Sequence, residues 1–131
     1  MPKKIAIIKA NFNSDITDAM LKECQKLLRT NNVKHDVYQV AGSFEIPYMI
    51  KTIINKYDGF IAIGCLIKGD TMHFEYISSA VSYGLMKISI EQKKPIGFSV
   101  LTCLNKAQAK KRIPKVRDSV LALLNLLSNK R

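Results

Sequence analysis

Several common protein classes are closed to this 131-residue sequence by what it lacks. It has three cysteines, Cys24, Cys65 and Cys103, an odd number without CxxC spacing, and two histidines, His35 and His73. A disulfide framework is therefore not expected, and neither is a zinc or other metal site. The thiols read as buried and free, as suits a reducing cytoplasm. The first apolar run, Ile5 to Ile8, stops at Lys9, too short for a secretory core or a membrane span. A soluble cytoplasmic protein without a membrane partner is expected. Neither GxGxxG nor GxxxxGK(S/T) occurs, so a dinucleotide or ATP cofactor has no phosphate loop. No GxSxG nucleophile elbow occurs either.

Acidic residues are scarce, 10 Asp and Glu against 21 Lys and Arg, for a net charge of +11. Residues 1 to 100 carry 13 basic and 9 acidic groups, whereas 101 to 131 carry 8 and 1. Three uses of that basic end compete: tracking nucleic-acid phosphates, holding a small phosphorylated substrate, or a solvated face that aids solubility. The nucleic-acid use has no motif behind it, since basic-aromatic interleaving, zinc-finger spacing and basic-zipper spacing are all missing. With 47% hydrophobic residues and 24% charged ones the chain is too apolar for whole-chain disorder. Its length suits one compact domain, residues 1–131, rather than two.

The apolar pattern predicts β α β α β α β α α. Ile5 to Ile8 suits a strand buried on both faces. Ile16, Met20, Cys24, Leu27 and Leu28 recur at helical spacing, with Ser14 or Asp15 as N-cap and Asn31-Asn32 past the end. Val33 to Val40 reads as a second strand, and a helix is predicted from Glu45 to Asn55 with Pro47 in its first turn. Phe60 to Ile67 is the strongest strand signal and belongs at the centre of the sheet. His73 to Gln92 is helical and Pro95 ends that segment. Ile96 to Leu101 is a fourth strand, followed by helices over 105–112 and 114–128. Alternation without a hairpin signal implies right-handed crossovers and a mostly parallel, four-stranded sheet covered on both faces.

In such a sheet ligands bind outside the carboxyl ends of the strands. The loops there run from Asn11 to Ser14, Ala41 to Glu45, Lys68 to His73 and Thr102 to Asn105. Phe44-Glu45 sets an aromatic plane beside a carboxylate, able to hold a flat heterocycle by its edge and face. Equally, Glu45 suits a helix N-terminus and Phe44 a core. Gly69, Asp70 and Thr71 ahead of a helix make a plausible anion cradle. His73, one turn away, suits proton transfer at neutral pH or a structural place.

Taken together, Asn11-Phe12-Asn13, Gly42-Ser43-Phe44-Glu45-Ile46-Pro47, Ile67-Lys68-Gly69-Asp70-Thr71-Met72-His73-Phe74 and Val100-Leu101-Thr102 with Gln108-Ala109 and Arg112 resemble the 6,7-dimethyl-8-ribityllumazine synthase family over nearly the whole chain. The resemblance implies a three-layer αβα sandwich of flavodoxin-like type and a cofactor-free transferase of riboflavin biosynthesis. Such an enzyme condenses 5-amino-6-(D-ribitylamino)uracil with 3,4-dihydroxy-2-butanone 4-phosphate, releasing phosphate and water. Carried over position by position, it implies that Phe12 stacks on the pyrimidine. Ser43, Phe44 and Glu45, with the backbone at Cys65, Leu66 and Ile67, complete the pyrimidine and ribityl pocket. Asp70, Thr71 and Arg112 hold the phosphate, and His73 transfers protons. Phe98 matches a position that reaches the pyrimidine of an adjacent subunit in a homopentamer, so active sites are expected between subunits.

The departure from the family pattern follows Arg112, where Ile113-Pro114-Lys115-Val116-Arg117 replaces a longer Gly-rich segment. A lysine of the family that assists at the phosphate corresponds to Lys115 or to Arg117. The chain also begins almost directly at its first core strand, so the arm by which longer members add a strand to a neighbour is expected to be missing. Lys110, Lys111, Lys130 and Arg131 read as solvated surface. Two rivals are weighed against this reading: an archaeal-type riboflavin synthase, which lacks the FEIP and THF segments, and a catalytically silent member acting as a basic binding module.

Overall fold

A computed structural model describes residues 3–129, which leaves Lys130 and Arg131 outside the described residues. The chain runs β1 (Lys4–Ala10), α1 (Ser14–Thr30), β2 (Lys34–Val40), α2 (Ile46–Thr52), β3 (Gly59–Ile67), α3 (His73–Gln92), β4 (Ile96–Cys103), α4 (Lys106–Arg112) and α5 (Val116–Asn129). Short 3-10 turns, Ser43–Glu45, Ile54–Lys56 and Ile113–Lys115, join some of these. The strands form one sheet in the order β2-β1-β3-β4. Every pairing is parallel, with Ile5 opposite both His35 and Gly59, and Ile63 opposite Ser99.

Side chains alternate across a strand, so each inner strand feeds two cores. Ile5, Ile7, Ile61 and Ile63 point to one face, where Met20 and Leu28 of α1 and Val120 and Leu123 of α5 cover them. Ala6, Ile8, Phe60 and Ala62 point to the other, where Ile50 of α2 and Val81 and Leu85 of α3 close the layer. That is the expected three-layer sandwich, and β1 and β3 are near-continuous apolar runs because neither face meets water. No helix among the described residues is long and apolar enough to cross a membrane.

Three local expectations need correction. The N-cap of α1 is Asn13, not Ser14 or Asp15; its backbone is left-handed, with φ 60°. The helix expected over 45–55 is shorter, because Ser43–Glu45 and Ile54–Lys56 take the tighter 3-10 form at its two ends. The last helix, expected over 114–128, begins at Val116 instead, because Ile113–Lys115 takes the 3-10 form around Pro114.

Candidate active site

The strand order reverses between β1 and β3, and the loops that leave the sheet there diverge around a crevice. A cavity of about 540 Å³ fills it, lined by Phe12, by Gly42 to Glu45, by Cys65 to Ile67, and by Gly69, Thr71, His73, Phe74 and Ile77.

Phe12 is held at the mouth by its own backbone. Asn11 N–H donates to Val40 O (2.8 Å) and Phe12 N–H to Ala41 O (3.0 Å), which prolongs the β1–β2 pairing beyond the strands. The left-handed Asn13 then turns the chain into α1, a conformation asparagine tolerates better than most residues. Its side-chain amide donates to Cys65 O (2.8 Å), tying this loop to the end of β3. The Phe12 ring is left 68% exposed.

The second loop is seated by one small residue. Ser43 is buried, and its hydroxyl occupies the space that a side chain at Gly64 would need. Phe44 therefore stands outward, 57% exposed, rather than joining the core. Glu45 Oε1 accepts from Gly42 N–H (2.9 Å), so the carboxylate caps its own turn while facing the cavity. A carboxylate retains further lone pairs for a ligand N–H.

The third loop continues from β3, where Lys68 N–H donates to Cys103 O (2.9 Å). Thr71 Oγ1 accepts from His73 N–H (3.2 Å) and so satisfies one backbone donor at the start of α3. Lys68 Nζ reaches Glu75 Oε2 at 3.5 Å across the same loop. Burial, helped by the neighbouring Cys103, pushes the Cys65 thiol up to about 11, which disfavours its thiolate. Buried Cys24 is pushed to about 12 by desolvation.

Nine of the residues named from sequence thus share one cavity: Phe12, Ser43, Phe44, Glu45, Cys65, Leu66, Ile67, Thr71 and His73. Asp70, Arg112 and Phe98 are not in its lining. Asp70 and Arg112 are exposed, and Arg112 Nη1 lies 3.9 Å from Cys103 Sγ at the end of β4. Phe98 lines a separate apolar hollow with Leu85, Met86 and Ile96. Arg117 pairs with Glu23 of α1 at 3.7 Å, and Lys115 is exposed. Phe74 and Ile77 also line the cavity, although their helical spacing is that of the core residue Val81, so periodicity alone does not single them out. Asn13 carried a signal only through its place beside Phe12.

The 6,7-dimethyl-8-ribityllumazine synthase family model matches residues 2–131. The chain is 40% identical to the 6,7-dimethyl-8-ribityllumazine synthase of Corynebacterium kroppenstedtii over 81% of its own length and 67% of that protein's. It is 37% identical to the Limosilactobacillus reuteri protein of the same name, over 83% and 74% of the two chains. Against that of Afipia carboxidovorans the identity is 32%, over 98% and 86%.

Proposed function

The chain belongs to the 6,7-dimethyl-8-ribityllumazine synthase family, transferases of riboflavin biosynthesis, and we propose that its cavity condenses 5-amino-6-(D-ribitylamino)uracil with 3,4-dihydroxy-2-butanone 4-phosphate. The observation that carries the assignment of residues is the convergence of Phe12, Phe44, Glu45, Thr71 and His73 on one space.

Two exposed aromatic rings facing a crevice give up burial in the core, which makes sense where a flat heterocycle restores it. In this reading Phe12 and Phe44 flank the pyrimidine, Glu45 accepts from its N–H edge, and the Cys65 to Ile67 backbone and Ser43 complete the fit. The ring amine adds to the ketone and water leaves to give an imine; phosphate is then eliminated, and ring closure expels a second water. These steps need orientation and proton relay rather than a strong nucleophile, so a single imidazole at His73 suffices as proton carrier.

Phosphate departure is helped by cations and backbone donors in a site short of water. The helix start at Thr71 to His73 supplies dipole and hydroxyl, and Arg112 supplies charge. The Asp70 carboxylate would repel a phosphate, so its part is assigned to its backbone N–H. Arg117 is engaged with Glu23, which favours Lys115 as the second cation. Phe98, exposed on β4 and outside its own cavity, is assigned to the pyrimidine pocket of a neighbouring copy in a homopentamer. Exposed Tyr83, Met86 and Ile90 on α3 are consistent with a neighbour there. Residues 1–131 act as a single domain, and the three buried free thiols suit the cytoplasm. The convergence on one cavity speaks against a silent basic binding module.

The test is to mix the purified protein with both substrates and follow lumazine absorbance and phosphate release. Acceleration over the spontaneous condensation is expected; its absence would remove the assignment. A monomer by mass measurement in solution would remove the shared site.

A further inference from the structure

We propose that Gln108 is a positioning residue of the phosphate site, acting through a two-way cap with Asn105 that fixes where α4 delivers Arg112; this rests on the assignment of Arg112 to the phosphate.

Helix α4 is seven residues long, Lys106–Arg112. Isolated helices below about 12–15 residues are marginal in water, so a two-turn helix takes its direction from its ends and its packing. At the C-terminal end the cations Lys110, Lys111 and Arg112 suit the helix dipole, and the chain runs on into the 3-10 turn Ile113–Lys115. The N-terminal end is tied twice. Asn105 Oδ1 accepts from Gln108 N–H at 2.9 Å, and Gln108 Oε1 accepts from Leu104 N–H at 2.8 Å. This is the reciprocal logic of a capping box, displaced by one residue so that the return bond reaches the residue before the cap. Fully buried Ala109 presses the helix onto the core.

One turn beyond Gln108, Arg112 crosses back to Cys103, with Nη1 3.9 Å from the sulfur. Cys103 is in turn bonded through its carbonyl to Lys68 N–H (2.9 Å), at the root of the loop that carries Thr71 and His73. The chain of contacts therefore runs from the Gln108 cap through α4 to Arg112, and from there to the loop at the cavity. An exposed arginine on a loosely held helix would spend much of its time away from that loop. The Gln108 bonds confine it without touching a substrate.

The experiment measures both Michaelis constants separately for the full-length protein and for Gln108→Met, Gln108→Glu and Arg112→Ala. Gln108→Met keeps shape and loses the acceptor. Its KM for the butanone phosphate should rise about five- to tenfold, on the scale of one lost helix cap, with the pyrimidine KM unchanged. Gln108→Glu keeps the acceptor and should restore the value. Arg112→Ala should show the same selectivity with a larger rise. Equal rises for both substrates in Gln108→Met, no rise, or failure of Gln108→Glu to rescue would each overturn the clamp. A selective effect in Arg112→Ala with none in Gln108→Met overturns the clamp alone. No selective effect in Arg112→Ala overturns the phosphate assignment and the clamp with it.

Discussion

The two ends of the sheet are built from similar residue types put to opposite use. At the amino ends of the strands, polar and aromatic groups satisfy one another: Tyr57 O–H donates to Asp36 Oδ2 (2.6 Å) and lies 2.7 Å from the Tyr38 hydroxyl. Lys4 pairs with Asp36 at 3.2 Å and sits over the Tyr57 ring, and Lys94 Nζ donates to Tyr57 O (2.7 Å). At the carboxyl ends, Phe12 and Phe44 stand in the open and the backbone is left-handed at Asn13. A closed network stabilises the fold and leaves nothing for a ligand. The open end keeps rings and donors available, at a cost in stability that the closed end helps to offset. Activity and stability should therefore respond to mutations at opposite ends.

The strongest way to break this division is Gly64→Ala. The added methyl collides with the Ser43 hydroxyl and, with that hydroxyl rotated away, would still lie 3.3 Å from Ser43 Cβ, so the turn bearing Phe44 and Glu45 is pushed outward. A misplacement of about 1 Å costs on the order of a hundredfold in rate, so kcat/KM should fall by about that factor. Overpacking costs roughly 1–3 kcal/mol, which a denaturation curve would read. Full activity in this variant would show that the second loop does not form the pocket.

Tyr57→Phe is the converse. Tyr57 is 5% exposed, and removing its hydroxyl strips a hydrogen bond from a carboxylate and from Tyr38. Bonds of that kind contribute about 1.5–3 kcal/mol, so the denaturation midpoint should drop while kcat/KM of the folded protein stays within about twofold, the network lying at the far end of the sheet from the chemistry. A kinetic defect at a temperature where the variant is folded would contradict the separation.

The same network predicts how stability varies with pH. Hydrogen bonds from Tyr57 and Lys4 hold the Asp36 carboxyl below its ordinary value. Its contribution is present above the unfolded pKa of about 3.9 and is lost as the pH falls through the lower folded value. Tyr57 is displaced upward by burial and by Asp36. It stabilises the fold below the ordinary tyrosine pKa of about 10 and loses that contribution as the pH rises beyond it. Chemical denaturation across pH should show both limbs, and Asp36→Asn should flatten the acid one. An unchanged acid limb in that variant would assign the acid sensitivity elsewhere.

How far the sequence disclosed each end follows from the distances over which its signals act. Strand β3 and helix α3 were legible because long runs of one period bury one or two continuous faces; the predicted 73–92 span matches α3. The first three loops were legible as the place of the cavity because parallel strands put their carboxyl ends together. What could not be read is carried by contacts between segments far apart in sequence. Asn13 is left-handed and bonded to Cys65, and Ser43 fits only over Gly64. The Tyr38–Tyr57–Asp36 network joins β2 to the residues before β3. Phe74 and Ile77 share the period of the core and differ from it only because a crevice faces them.

The smallest expected effect refines the comparison, since the carboxyl half of the sheet is not functional on both faces. Lys9 lies near the end of β1 and is buried, its ammonium paired with Asp18 of α1, yet it does not line the cavity. A buried lysine beside an active site invites a catalytic reading. Alternation along β1 argues otherwise: Ile8 and Ala10 point to the α2–α3 face and Lys9 to the other. Desolvating an ammonium costs about as much as its pairing returns, and a hydrophobic residue of similar length is often neutral or better. Asp18 keeps a side chain 56% exposed, so it remains hydrated when its partner is removed. Lys9→Met should leave kcat/KM unchanged and should not destabilise the fold, since the carboxylate left behind is hydrated. A hundredfold loss of turnover in that variant, with the fold intact, would place chemistry on the α1 face and end the assignment of function to one side of the sheet.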